Sequence, residues 1–404
     1  MSARLQPKPG LITAAAGSLV HAGKLGRELG RQLDVLRSIG PRQSWTSRHQ
    51  RAGAVSLAVE GRRRVYREIW ADAAAAQGAE PVDLGRGFLL LRQGGRETTV
   101  WNNQVKLDDP VALRLAADKP LAHQLLSTAG LPVPGHLEFH YRDLSSAFRF
   151  LSESPGPCVV KPARDTGGGA GVTCGVVSPD DLVRARLRAA RWDDQLVVER
   201  QATGDEYRLL LLDGELLGAV KRSPPRVVPD GRQSVGALIA AENARRLASS
   251  GRSGLWLIQP DLDCVLTLRR SGLTLGSVPP PGPPITVKTA ANENGPADNE
   301  TMPSIGEALV REAARAAAAL GVRLAGVEVI AADPQRGVAG GGGVIVEVNG
   351  TPGLHYHYQV ADLHRATPVA VPILSVLLDS GVHHDGWDES ATRRRHPTTP
   401  GARE

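Results

Sequence analysis

Cysteine, lysine and aromatic side chains are all scarce in this chain of 404 residues. Its three cysteines, Cys158, Cys174 and Cys264, have no CxxC spacing, so neither a disulfide framework nor a zinc knuckle is readable and a reducing cytoplasm is the simplest setting. Aromatics make up 4% of the residues, too few for a base-stacking platform. Only seven of the 48 basic residues are lysine, so the net charge of +6 rests on arginine; it suits acidic ligands without indicating nucleic acid. No apolar run approaches the roughly 18 to 20 residues of a membrane span. The stretch from Leu11 to Val20 follows Lys8, but Pro7, Pro9 and the lack of a clear cleavage site argue against a secretory leader. The expected partners therefore include neither nucleic acid nor membrane.

With 41% hydrophobic and 22% charged residues, the composition is that of a globular protein of two or three domains. Residues 1–106 read as a small α/β domain. Helical patterns cover Gly23 to Leu36 and Arg64 to Ala76, a loop is expected near Arg42 to Arg51, and Ala54 to Val59, Gly87 to Leu91 and Glu97 to Trp101 read as strands. Residues 107–380 form the main α/β domain. Asp118 caps a helix ending at Ala129-Gly130, further helices fit Asp143–Leu151, 178–191, Val235–Leu247, Ile305–Leu320 and Pro368–Leu378, and Asp213-Gly214 turns a hairpin. Gly340 to Gly343 reads as a mobile hairpin connection, and residues 381–404 as a disordered tail.

Two segments carry chemistry. The first runs from Val159 through Lys161 to Gly167, Gly168, Gly169 and Gly171. Glycine amides can wrap anionic oxygens while a lysine ammonium neutralises charge. No Gly-Lys-Ser/Thr follows and no helix opens, which excludes a P-loop and a dinucleotide fingerprint. A β-hairpin flap over phosphates or a purely structural hairpin remains. The second segment is Val344 to Gly353. Strict alternation places Ile345, Glu347 and Asn349 on one strand face and Val344, Val346 and Val348 on the other. Glu347 and Asn349, joined by Glu328 of the preceding strand, offer hard oxygens suited to Mg²⁺, unless this is a solvated sheet face. Arg208, Lys221 and Arg222 lie on the hairpin strands, where they either stabilise a phosphoryl group or a carboxylate or are surface charges. His355-Tyr356-His357-Tyr358 follows the second segment and is expected to line the substrate end of a cleft, and His355 and His357 have no third ligand for zinc placed by spacing.

Taken in order, these residues resemble the ATP-grasp superfamily of carboxylate-amine ligases. Within it they are most similar to the ATP-grasp half of the cyanophycin synthetases, without the Mur-ligase-like half. The resemblance covers about Leu107 to Leu378 and includes Glu206-Tyr207-Arg208-Leu209-Leu210, Val227-Val228-Pro229-Asp230-Gly231, Ser271 to Pro279 and Asn349 to Gly353. It implies a fold of two α+β subdomains clamping ATP, the flap-bearing one spanning about 155–222. It also implies that Lys119, Lys161 and the flap hold phosphates, Glu199 and Arg200 form the adenine hinge, Glu206 meets the ribose, and Glu328, Glu347 and Asn349 hold Mg²⁺. Arg208, Arg222 and Lys161 are then the catalytic set. The chain departs from the family at Ala291 to Asp298, where an Asn-Leu-Ser-x-Gly-Gly-like segment that helps handle substrate is usual.

The implied activity is amide-bond formation through an acyl phosphate, giving ADP and Pi, with amino acids or peptides of specialised metabolism as substrates. Rival readings are a primary-metabolism ligase resembling D-alanine-D-alanine ligase or glutathione synthetase, and a nucleotide-binding protein without chemistry. Relatives are often dimers or tetramers, which makes a homo-oligomer a further expectation.

Overall fold

The computed structural model describes residues 44–164, 166–248, 257–380 and 382–383. The first element is a single helix, Ser44–Gln77, ended by Gly78 in the left-handed conformation (φ 67°). It absorbs both the expected loop near Arg42 to Arg51 and the expected strand Ala54 to Val59. The expected helix from Gly23 to Leu36 lies outside the described residues.

Strands β1 (Glu80–Gly85), β2 (Phe88–Gln93) and β3 (Arg96–Trp101) form an antiparallel meander. Then come β4 (His136–His140), β5 (Cys158–Pro162), β6 (Thr173–Val176) and β7 (Gln195–Arg200), which pair in the order β4-β7-β5-β6. The hairpin β8 (Asp205–Leu212) and β9 (Glu215–Arg222) turns at Asp213 and Gly214, both with positive φ, as a two-residue turn between twisted strands requires. After a two-stranded pair, β10 (Arg226–Val227) with β11 (Ile285–Thr286), come β12 (Asn299–Thr301), β13 (Leu324–Ala331) and β14 (Val344–Asn349). They complete an antiparallel five-stranded sheet ordered β12-β9-β8-β13-β14. Finally β15 (Val382–His383) returns to pair with β3, so the chain just past residue 380 is strand rather than tail. The run Gly340 to Gly343 is also more ordered than expected: Val338–Gly341 is a short helix.

The glycine loop's sheet therefore begins at His136 and ends at Arg200, while the 205–222 hairpin belongs to the other sheet; the expected flap-bearing span of 155–222 cuts across both. Each of these sheets has one apolar face and one charged face. In the four-stranded sheet, Cys158, Val160, Leu196 and Val198 pack on Leu182, Ala185, Ala189 and Leu266 of the helices behind. Period-two alternation sends Lys161 and Glu199 to the opposite face. In the five-stranded sheet, Tyr207, Leu209, Val327 and Val329 pack on Leu309, Ala313 and Ala316 of the helix Glu307–Ala319, and Glu206, Arg208 and Glu328 take the other side. That second side is not charged throughout. Toward their far ends Leu210, Leu212 and Leu324 enter a core shared with Tyr66, Trp70 and Ala73 of the first helix and with Ile373, Leu374 and Leu377 of the helix Ala370–Asp379. The expected N-terminal unit thus closes over the back of the second sheet's cleft face.

Candidate active site between the two charged sheets

Two lysines are brought together by one backbone bond. The Lys119 amide donates to the Ala163 carbonyl at 3.0 Å, which sets the start of the helix Lys119–Thr128 beside the end of β5, where Lys161 stands. Asp118 caps that helix by accepting from the Leu121 amide at 3.2 Å and pairs with Arg164 at 2.8 Å. Both lysines are buried. Lys161 Nζ lies 2.8 Å from Glu199 Oε2, and Lys119 Nζ lies 3.6 Å from Glu347 Oε1 and 3.4 Å from Thr166 Oγ1 at the foot of the glycine loop. Burial pushes the Glu347 carboxyl up, but Lys119, Lys161 and Arg208 together hold it below its ordinary value. A carboxylate kept ionised among three cations is suited to a polyanion and the cation that accompanies it.

Sheet register builds the second cluster. Glu328 stands opposite both Arg208 on β8 and Glu347 on β14, and Glu206 stands opposite Arg222 on β9. Arg208 forms an ion pair with Glu328, and Arg222 reaches Glu206 at 2.5 Å and Glu328 at 3.4 Å. The two guanidinium carbons lie 5.2 and 4.3 Å from the centre of the Tyr356 ring. Arg222 also donates to the Ala291 carbonyl and to Asn292 Oδ1, each at 3.3 Å. The buried Nε atoms of Arg208 and Arg222 meet no acceptor among the described residues.

The third expected metal-strand residue requires a correction of detail. Glu328 pairs with Glu347, but Val329 pairs with Ile345, so Val346 is a β-bulge. Strict alternation fails there: Ile345 turns to the core with Val348, leaving Glu347 and Asn349 on the cleft side. His123 Nε2 donates to the Val346 carbonyl at 2.9 Å, supplying a partner at the bulge. Asn349 Nδ2 lies 3.4 Å from Glu328 Oε1. Two carboxylates and one amide oxygen make a hard donor set that fits Mg²⁺ completed by water and phosphate, although Glu328 would be shared with the guanidiniums. Among the described residues no group of three His, Cys, Asp or Glu side chains is placed to hold a metal without such help.

The glycine loop is the expected hairpin connection, since Cys158 pairs with Val176 and Val160 with Thr173 on either side of it. Gly168, Gly169 and Gly171 all have positive φ, while Gly167 opens the loop in exposed backbone. The adenine and ribose assignments are placed less directly. Glu199 is buried against Lys161, and the amides of Arg200 and Gln201 already donate to the carbonyls of Gly135 and Pro157 at 2.9 Å. Glu206 is held by Arg222. His355 and His357 are both buried: His355 Nδ1 lies 2.8 Å from Tyr66 Oη, and His357 packs against Gly218 of β9. The residue between them, Tyr356, faces the arginines instead. Tyr356 and Asn292 belong to stretches expected from sequence to lie near the substrate, whereas Tyr66, within a helical pattern, carries no local signal that distinguishes it from a core residue.

Two antiparallel sheets with opposed charged faces and a glycine hairpin at one rim are the arrangement that the resemblance to the ATP-grasp superfamily implies. In sequence the chain is 30% identical over 250 residues to a cyanophycin synthetase from Nostoc sp., covering 61% of this chain and 27% of that protein. It is 31% identical over 297 residues to the glutathione biosynthesis bifunctional protein GshAB of Enterococcus faecalis, covering 69% of this chain and 37% of that one. The chain thus spans about a quarter to a third of the length of these curated relatives. Among solved structures it is similar to a bifunctional glutathione synthetase from Pasteurella multocida, with TM-score 0.46 and 23% identity over 75% of this chain and 42% of that one. No protein-family model matches the chain. No helix among the described residues is long and apolar enough to cross a membrane.

Proposed function

We propose that this protein is an ATP-dependent carboxylate-amine ligase, forming an amide bond through an acyl phosphate with release of ADP and Pi. The observation that carries the reading is the convergence of Lys119, Lys161 and Arg208 on Glu347 beside a glycine hairpin, in a chain similar in sequence to two ATP-grasp synthetases. The lysines and the hairpin amides hold the triphosphate, with the adenine along Glu199, Arg200 and the backbone that follows and Glu206 toward the ribose. Glu328, Glu347 and Asn349 would hold Mg²⁺, which neutralises charge on the outer phosphates. The substrate carboxylate attacks the terminal phosphorus, ADP leaves, and the amine then adds to the acyl carbon and expels phosphate. Arg208 and Arg222 have Nε–H donors left for the oxygens that become anionic in both steps, and Tyr356 fixes the planes of their guanidiniums. No covalent nucleophile on the protein is needed.

The substrates we assign are an amino acid or peptide carboxylate and an amine, in specialised metabolism and a cytoplasmic setting. The GshAB similarity favours a second reading, a primary-metabolism ligase of the glutathione synthetase kind. ADP release from Mg²⁺-ATP across a panel of amino acids and short peptides separates the readings, with Lys161→Ala and Glu347→Gln as controls. Release that needs both an acid and an amine and vanishes in the controls supports the ligase. Mg²⁺-dependent nucleotide binding without release for any pair leaves a binding protein without chemistry.

A further inference from the structure

The charged side chains assembled at the site all come from Asp118 onward, yet the wall behind two of them is built by the first helix and the meander. The chain leaving Asn349 passes Thr351 and enters the 3-10 turn Leu354–His357. With three residues per turn, successive side chains there diverge by about 120°. Leu354 accordingly enters the core shared with the first helix, His355 meets Tyr66, and Tyr356 meets the arginines.

Two contacts tie this stretch to residues before 107. Tyr66 is 1% exposed, and its Oη lies 2.8 Å from His355 Nδ1. His355 Nε2 meets no partner among the described residues, so the ring takes its polar orientation from the Tyr66 hydroxyl. The rings of His355 and Tyr356 lie 4.0 Å apart, centre to centre, and Tyr356 Oη is 3.4 Å from Arg222 Nη2. Asn103, just past β3, donates from Nδ2 to the Thr351 carbonyl at 2.6 Å and accepts from Arg62 Nη2 at 3.0 Å. Arg62 stands one helical turn from Tyr66, its guanidinium carbon 5.7 Å from that ring's centre. Helix and meander thus hold both ends of the stretch that carries the aromatic face on which Arg208 and Arg222 rest. Without the Tyr66 hydroxyl, His355 Nδ1 would be a buried polar atom lacking a partner, a loss that favours movement of the ring and of Tyr356 beside it.

We propose that Tyr66 is a positioning residue for Arg208 and Arg222, acting through His355 and Tyr356, so that the first helix sets how the arginine pair meets developing negative charge. What the arginines do there rests on the proposed ligase reading, but the positioning is measurable with neither nucleotide nor substrate present. The chain has five tyrosines, Tyr66, Tyr141, Tyr207, Tyr356 and Tyr358, so full-length protein labelled with fluorotyrosine gives five fluorine NMR signals, each assigned by replacing that tyrosine with phenylalanine. Wild type is compared with Tyr66→Phe, which removes one oxygen and keeps the ring, with His355→Leu and with the double variant. Trp70→Phe is the control: Trp70 lies one turn further along the same buried face and donates to the Asn102 carbonyl at 2.7 Å instead.

Tyr66→Phe moves the Tyr356 signal by more than its linewidth while those of Tyr141 and Tyr207 stay in place. In ADP release with whichever acid and amine prove active, it lowers kcat roughly tenfold and leaves KM for ATP unchanged. The double variant is no slower than His355→Leu, since both changes break one path. Trp70→Phe lowers the melting temperature but leaves the Tyr356 signal and kcat at wild-type values, which separates positioning from stability. An unmoved Tyr356 signal or an unchanged kcat in Tyr66→Phe overturns the proposal, as do an equal shift in Trp70→Phe or additive losses in the double variant. Absence of ADP release by wild type with every acid and amine counts against the ligase reading, while the fluorine signal still decides whether Tyr66 holds Tyr356.

Discussion

Buried ion pairs at this site are expected to be felt most when half of one is removed. Lys161 and Glu199 are each about 5% exposed at the side chain and 2.8 Å apart. Lys161→Met leaves a carboxylate in a cleft wall without its cation, a loss of about 3 to 5 kcal/mol by urea unfolding, and the double variant Lys161→Met/Glu199→Gln should recover much of it. Glu347→Gln should lower Mg²⁺-dependent ADP release by roughly two orders of magnitude or more, with nucleotide-independent folding retained on circular dichroism. The histidines give a pH signature. Burial lowers His123 to about 4 and His357 to about 3, against 6.5 in the unfolded chain. From pH 6.5 down to about 4 the unfolded chain binds the extra protons, so stability falls as pH falls, by up to about 1.4 kcal/mol per pH unit for each group. Glu347 acts in the same sense lower down: its contribution is complete above the ordinary carboxylate pKa and is lost as pH drops below it. Urea midpoints at pH 7 and 5 should show the decline, and His123→Gln should flatten it.

At the scale of elements, the glycine loop has a sharp test. Gly171 has φ 80°, and a Cβ there would stand 2.8 Å from both the Pro162 and Trp192 side chains. Gly171→Ala should weaken Mg²⁺-AMPPNP binding by roughly tenfold on calorimetry and also lower the melting temperature, because a Cβ is strained at this positive φ and crowds Pro162 and Trp192. The elements around this loop were readable because each carried local chemistry: Asp118 and Ser178 as caps, Asp213-Gly214 as a turn, and the lysine-glycine and Glu-x-Asn segments at strand ends. What local pattern could not show was set by neighbours in space. The bulge at Val346 exists because Ile345 packs in the core and the displaced carbonyl finds His123, 223 positions away in sequence. The first helix takes in a strand-like stretch and runs on into Tyr66, Trp70 and Ala73, which share a core with the helix Ala370–Asp379, a contact that no local pattern announces. Leu262–Arg270 was missed because its apolar residues face two different clusters and no single stripe stands out.

Over the whole molecule, the separation of residues 1–106 from the rest is the boundary most open to test. Tyr66, Trp70 and Ala73 share a core with Leu210, Leu212 and Leu324, and Tyr66 reaches His355 directly behind the arginine-facing Tyr356. Residues 107–380 expressed alone should expose that apolar face, bind a hydrophobic dye and aggregate on size-exclusion chromatography. A monodisperse fragment that binds Mg²⁺-AMPPNP with wild-type affinity would show instead that the first helix is dispensable.

Among the described residues, the ion-paired side chains between the two sheets match in charge: Glu199, Glu206, Glu328 and Glu347 against Lys119, Lys161, Arg208 and Arg222. The cleft behaves less like a cationic trap than like a small neutral salt crystal with its ions already matched. A triphosphate entering alone would upset that match, whereas one arriving with divalent cations carries its own countercharge. Nucleotide and metal should therefore enter as one electrically balanced guest, each almost without affinity in the absence of the other.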